Sequence, residues 1–227
     1  MPTITDITAI ITAVGALGTA AFGLVDALKA LPGGGVSRAG FKFIRQTVVS
    51  LTPKVPALDG TGLSYESIET TLLSQWINGT ATADQVNIAK SLIKLRLTPD
   101  TAPALAKSTG VDSNALRQVA TSLSTGTALD QPHRDAYARF DLMLTTLLDQ
   151  AYQRASQRYR NASKAFAVPV AVILAVVANH FLSLPTRIAD GEAVLIGLIA
   201  TPIAPIAKDV ASAINTAAQT IQTVRKG

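Results

Sequence analysis

Long uncharged apolar stretches occur at the two ends of this chain, and shorter, regularly spaced apolar positions fill its middle. The first stretch, Ile7 to Val25, holds 19 residues without Asp, Glu, Lys or Arg. That is close to the ~20 residues a helix needs to cross a hydrocarbon core of ~30 Å. Asp6 and Asp26 bound it, and no Lys or Arg precedes Lys29. It therefore lacks the positive start of a secretory signal and reads as a retained segment. Gly15, Thr19 and Gly23 fall at i, i+4 and i+8. They predict a helix-packing stripe of small residues along which a second helix approaches closely in lipid.

The second stretch, Ala165 to Thr186, holds 22 uncharged residues, or about 33 Å of helix. Pro169 lies early in it and predicts a mild kink. Arg154, Arg158, Arg160 and Lys164 precede it and Arg187 follows. With Tyr152 and Tyr159 they predict a basic, aromatic face that binds anionic lipid headgroups and fixes helix depth. Asn179 and His180 stand near the far end. Two readings of this intramembrane polar pair are open. Either the groups reach headgroups, water or a neighbouring helix, or they face a bundle interior as a proton or ion site.

The third stretch, Ala193 to Ala207, holds 15 uncharged residues before Lys208-Asp209. It is slightly short for a crossing unless Lys208 snorkels. Pro202 and Pro205 interrupt its hydrogen-bond ladder and predict a kink, a break or a hinge. Val210 to Val224 reads as an amphipathic extension beyond the lipid.

Between the ends, the pattern predicts short, capped helices. Ser37 to Leu51 places Phe41, Ile44, Val48 and Leu51 on one face. A loop follows to Gly62. Tyr65 to Ile77 is a helix closed by Asn78-Gly79. Thr82 with Gln85 three residues on fits a capping box for a helix to about Leu95. Thr98-Pro99-Asp100 opens another, ended by Gly110, and Asp112 caps one more, ended near Gly126. Asp130, with Pro132 in the first turn, starts a long helix. Its stripe of Tyr137, Phe140, Leu144, Leu147, Ala151, Ala155, Tyr159, Ala162 and Phe166 repeats every three or four residues. This seam runs into the second uncharged stretch without a breaker. It expects to meet either the short helices of this chain or another copy. Nothing alternates with period two, so no sheet is expected.

Composition sharpens this reading. Charged residues are 15% of the 227, against ~25% in soluble domains. Mean hydropathy is +0.32. There is no cysteine, which excludes disulfides, thiol catalysis and cysteine metal sites. No metal or catalytic motif is readable: no HExxH, no paired carboxylates, no nucleophile–base–acid spacing. Gly33-Gly34-Gly35 lacks the Lys-Ser/Thr of a phosphate loop. No catalytic residue, metal or cofactor is therefore assigned. The net charge of +5 follows the flanks of the apolar stretches, as the positive-inside rule expects, rather than an aromatic-interleaved patch for nucleic acid. From Asp26 to Lys164 the chain carries 16 Lys and Arg against 11 Asp and Glu.

The order Phe140-Asp141-x-Met143, Tyr152-x-Arg154, Ala178-Asn179 and Arg187-Ile188-Ala189 resembles a large uncharacterised family of bacterial membrane proteins. The resemblance implies one N-terminal crossing, a helical cytoplasmic region, two C-terminal crossings and a bacterial source. It implies no activity. The chain departs from that pattern at His180-Phe181 and at Pro205-Ile206-Ala207.

The expectation is an all-α integral membrane protein with about three transmembrane helices and a small helical cytoplasmic domain. Its regions are 1–31, 32–129, 130–186 and 187–227. The N-terminus lies outside a bacterial inner membrane, with the central domain and C-terminus cytoplasmic. The expected role is a non-enzymatic anchor or scaffold. Its partners are membrane lipids and a second copy or another membrane-associated protein, not nucleic acid. A channel subunit of a homo-oligomer and a membrane-inserting pore-forming protein are the alternatives.

Overall fold

The computed structural model describes residues 4–28, 35–181 and 188–205; side chains of 4–8 and of Ala57 are outside that description. The described residues are helical, with no strand among them. In chain order the helices are α1 (Ile4–Ala27), α2 (Ser37–Leu51), α3 (Tyr65–Ile77), α4 (Thr82–Leu95), α5 (Ala102–Thr109), α6 (Ser113–Thr125) and α7 (Gln131–Phe181). A further helix, α8, runs through 190–205. The amphipathic extension expected at Val210 to Val224 and the glycine run after Lys29 lie outside the described residues.

The chain divides into two compact units. Unit 1 joins both ends, 1–36 and 160–227; unit 2 is 37–159. The long helix α7 is shared between them rather than standing as a region of its own.

Unit 2 is a small helical domain built on an ordinary apolar core. α2 packs on α3 and α5, α3 on α4, and α5 on α6. Ile44, Leu72, Ile93, Leu105, Phe140 and Leu144 are fully buried, each contributing about 1.5–3 kcal/mol relative to exposure. The caps agree with the sequence at most ends. Ser64 and Asp112 accept from the backbone amides of Ser67 and Ala115. Asp130 accepts from the amide of His133. Gly110 and Gly126 both sit at φ 69°, ending α5 and α6 in the left-handed conformation that suits glycine.

Two starts differ. Thr82 is not a cap: Ala81 holds that place, and the Gln85 amide donates to the Thr80 carbonyl. α5 begins at Ala102, because the hydroxyls of Thr98 and Thr101 take each other's backbone amides and form a turn ahead of it. The seam of α7 also shifts. Leu148 and Tyr152 are fully buried, and Phe166 is exposed. Steps of four from Phe140 through Leu144, Leu148 and Tyr152 follow the face covered by the short helices of unit 2.

Candidate functional site

Unit 1 is packed inside out. Most of its buried positions are small: Gly15, Gly18 and Ala21 on α1, Ala167, Ala171 and Ala175 on α7, and Ala193, Gly197, Ala200 and Ala204 on α8, with Val14, Val25, Val36, Asn179 and Thr201 buried beside them. Its large apolar side chains point outward: Ile10 is 60% exposed, Ile173 60%, Leu195 61% and Phe181 83%. On α7 the buried positions Ala167, Ala171, Ala175 and Asn179 recur every four residues, a straight ladder along one face. α8 lays Gly197 against that ladder. A Cβ built on Gly197 would stand 2.4 Å from the Val172 Cα. α8 meets α1 at Gly18, where a Cβ would stand 2.2 Å from the Ala200 carbonyl oxygen. At both places only glycine allows the backbones this close.

The close approach within this chain lies beside the stripe read from the sequence. Gly15 is buried, but Thr19 and Gly23 face outward and no atom lies within 4 Å of a Cβ at Gly23. The Thr19 hydroxyl donates to the Gly15 carbonyl of its own helix at 2.9 Å. The approach of another helix in this chain is made one residue before Thr19, at Gly18, because the packed face follows Val14, Gly18, Ala21 and Val25.

Asn179 is 4% exposed, and its amide ties the end of α7 to the start of α8. Nδ2 donates to the Ile188 carbonyl at 3.0 Å and to Asp190 Oδ1 at 3.2 Å, and Oδ1 accepts from the Ile188 amide at 3.3 Å. Glu192 accepts from the Ala189 amide at 3.2 Å, capping α8. Asn179 thus satisfies both backbone groups of Ile188 ahead of α8. His180 is exposed, with Nδ1 3.2 Å from the Val176 carbonyl and 3.7 Å from Asp190 Oδ1. A cleft of about 450 Å³ lies beside Asn179, walled by Ile10, Leu17, Ala175, Asn179 and Ile196 and almost wholly apolar. Pro169 and Pro202 are exposed within continuous helix, so no break occurs at Pro202. Pro205 is where the described part of α8 ends.

Two helices of the described residues are long and apolar enough to cross a bilayer: Ala9–Ala27 of α1, and α7. α8 offers 16 described helical residues, so it falls short of a third by length. Only 28% of the α1 window and 17% of the α7 window are buried within the chain.

Arg154, Arg158, Arg160 and Lys164 are all exposed. Tyr152, read with them as part of a lipid-facing surface, is instead in the core of unit 2. Its ring lies 6.3 Å from that of Trp76, and burial pushes its hydroxyl well above the usual tyrosine range. A buried and an interfacial tyrosine share the same helical spacing, so spacing alone does not tell them apart. Unit 2 holds two further charged clusters. Asp141 bridges Lys94 at 2.9 Å and Lys90 at 3.2 Å. Burial alone would raise its carboxyl, but the two ammonium groups together outweigh that and hold it below the usual range. Arg96 is 2% exposed and donates to the carbonyls of Leu63 and Pro53, bolting the 52–64 loop to the end of α4. Among the described residues no three His, Asp or Glu side chains converge on a point that would hold a metal.

No family model matches this chain, and neither a curated protein nor a solved structure does.

Proposed function

We propose that the chain is an integral membrane protein that holds a small helical domain at a bilayer, acting as a non-enzymatic anchor or scaffold. α1 and the second half of α7 are two of its crossings, and the uncharged stretch Ala193 to Ala207 is the third. The resemblance to bacterial three-crossing proteins is consistent with that count. The dense basic flanks favour a cytoplasmic unit 2 and C-terminus at the inner membrane, with the N-terminus outside.

One observation carries the reading: the inverted packing of unit 1. In water, a helix bundle buries Leu, Ile and Phe and shows polar groups outside. Here Gly and Ala are inside while Ile10, Ile173, Phe181 and Leu195 are outside. An apolar solvent makes that arrangement favourable, because lipid covers the large side chains and small residues let backbones meet. A soluble core helix would be mostly buried, which the two apolar windows are not.

The scaffold role is preferred over a pore subunit for two reasons. The cleft in unit 1 is walled by apolar groups, and the Asn179 amide is engaged by the Ile188 backbone. The α7 seam in unit 2 is filled by the chain's own helices, so a partner would be recruited by the outer surface of that unit. Alkaline extraction of membranes tests the reading: the chain stays with the lipid and needs detergent to leave it. A monodisperse aqueous species made without amphiphile would refute it. Conductance across planar bilayers, altered in its pH dependence by His180→Ala, would favour the pore instead.

A further inference from the structure

We infer that unit 2 carries a two-helix binding surface for anionic phospholipid headgroups, formed by Arg38 and Lys42 of α2 together with Arg154 and Arg158 of α7. The inference rests on the membrane reading above, and extends it to two cations on a helix far away in sequence.

Close contact between the helices sets the register. A Cβ on Gly40 would stand 2.5 Å from the Ala155 carbonyl oxygen, so α2 and α7 touch there backbone to backbone. Further along, Phe43 and Thr47 share a cleft of about 280 Å³ with Leu147, Ala151 and Arg154. As α2 advances, α7 recedes, so the two run antiparallel. Arg38 and Lys42 lie two residues either side of Gly40; Arg154 and Arg158 lie one before and three after Ala155. At 1.5 Å per residue, all four fall in a slab about 8 Å thick.

The charge in that slab is unbalanced. α2 contains no acidic residue, and α7 contains none from Ala151 to Phe181. Arg45 of α2 is paired with Glu69 at 2.8 Å, but among the described residues none of the four has a carboxylate within 4.0 Å. All four are exposed.

Aromatic groups mark the same level. The Trp76 indole donates to the Ser37 carbonyl at 3.0 Å at the start of α2. Its ring meets that of Tyr159 edge-on at 6.4 Å. Half-buried Trp and Tyr beside unpaired cations are the residue types that settle at the headgroup level of a bilayer. Along α7, Arg160 and Lys164 follow at once, and the uncharged run begins at Ala165. Four cations within one slab create a local positive potential that a zwitterionic headgroup cannot satisfy but an anionic one can.

Trp76 is the chain's only tryptophan and sits at this surface, so it is a built-in reporter. The full chain is reconstituted into phosphatidylcholine vesicles containing a minor share of brominated lipid, either phosphatidylcholine or phosphatidylglycerol. Bromine quenches tryptophan only at short range. Brominated phosphatidylglycerol is expected to quench Trp76 more strongly, and 1 M salt to remove the difference. An exposed cation near an anionic surface contributes a factor of about five. The pairs Arg38→Gln with Lys42→Gln, and Arg154→Gln with Arg158→Gln, should therefore each lower the preference by about 25-fold. All four side chains are exposed, so both variants keep the fold, checked by an unchanged emission maximum of Trp76. Equal quenching by the two lipids in an inserted chain overturns the inference and leaves the membrane reading intact. Loss of preference with the α7 pair alone also overturns it, since the site would not include α2. A chain that stays in the aqueous phase and is quenched by neither lipid sinks the membrane reading itself.

Discussion

Alanine at Gly18 and alanine at Gly23 are the same chemical change on the same helix, five residues apart, and they are expected to move stability in opposite directions. Replacing glycine by alanine inside a helix gains about 0.5–1 kcal/mol from backbone entropy. At Gly23 nothing lies within 4 Å of the new methyl, so that gain stands alone. At Gly18 the methyl would be 2.2 Å from the Ala200 carbonyl oxygen and 2.9 Å from the Ala204 Cβ, and ordinary contact begins at 3.4 Å, so α1 and α8 must part by about an ångström. Overpacking of this kind costs about 1–3 kcal/mol. Set against the propensity gain, it leaves Gly18→Ala destabilised by about 1–2 kcal/mol. The chain has no cysteine, so a single introduced thiol reads the opening of unit 1 without background. Ala193→Cys is suited to this: Ala193 is 1% exposed and borders the apolar cleft, which has room for a sulfur. In detergent, Gly18→Ala should speed maleimide labelling of that thiol by about 5–30-fold. Gly23→Ala should leave the rate unchanged or slower. If the two variants label at the same rate, the packing described for α1 and α8 is wrong.

Three other outcomes follow from the same geometry. Asp141→Asn should destabilise unit 2 by about 0.5–1 kcal/mol, a figure discounted because the carboxylate is partly exposed. The Asp141 carboxyl is held below its ordinary value, so its contribution is full above the unfolded value of about 3.9 and fades as pH falls through the folded value. Denaturant titrations followed by Trp76 emission at pH 7 and pH 3 should show the wild type losing this increment and Asp141→Asn having none to lose. Asn179→Ala strands both backbone groups of Ile188 and should cost about 1–3 kcal/mol in the labelling assay, while His180→Ala, at an exposed side chain, should stay within about 0.5 kcal/mol. Equal effects would show that the joining of α7 to the start of α8 does not depend on the amide. Tyr152→Phe removes a buried hydroxyl that has no hydrogen-bond partner among the described residues, so thermal unfolding should be unchanged or raised by up to about 1 kcal/mol. A large loss would show that the hydroxyl has a role the packing does not reveal.

The short helices of unit 2 were legible because water lies on one side of them. Phe41, Ile44, Val48 and Leu51 were readable as one face and all four are buried. A period of 3.6 is informative when polar and apolar faces differ. In unit 1 that contrast vanishes, since lipid and helix interior are both apolar. Hydropathy locates the stretches but not the faces that meet, and only side-chain size remains as a signal. The ladder Ala167, Ala171, Ala175, Asn179 was visible at a spacing of four, yet alanine in an apolar run reads as bulk. The stripe of Gly15, Thr19 and Gly23 was the more conspicuous pattern, and the chain's contact runs beside it through Gly18. Thr82 followed by Gln85 matched a capping box by spacing, but spacing does not fix which residue leaves the helical conformation first. Arg38 and Lys42 belong with Arg154 and Arg158 only through Gly40, a glycine whose neighbour is more than a hundred positions away.

Unit 1 is assembled from the two termini, with unit 2 inserted between them. The face of α1 that carries Gly18 has no partner until Ala200 and Ala204 have been translated. At ~5–20 residues per second, that interval is roughly 10–40 s. During it α1 must hold its place on its own apolar length, while the 123 residues of 37–159 emerge and fold. The order of synthesis therefore makes α8 the helix that locks α1, and a ribosome stalled before Gly197 would leave a folded domain on an unfastened tether.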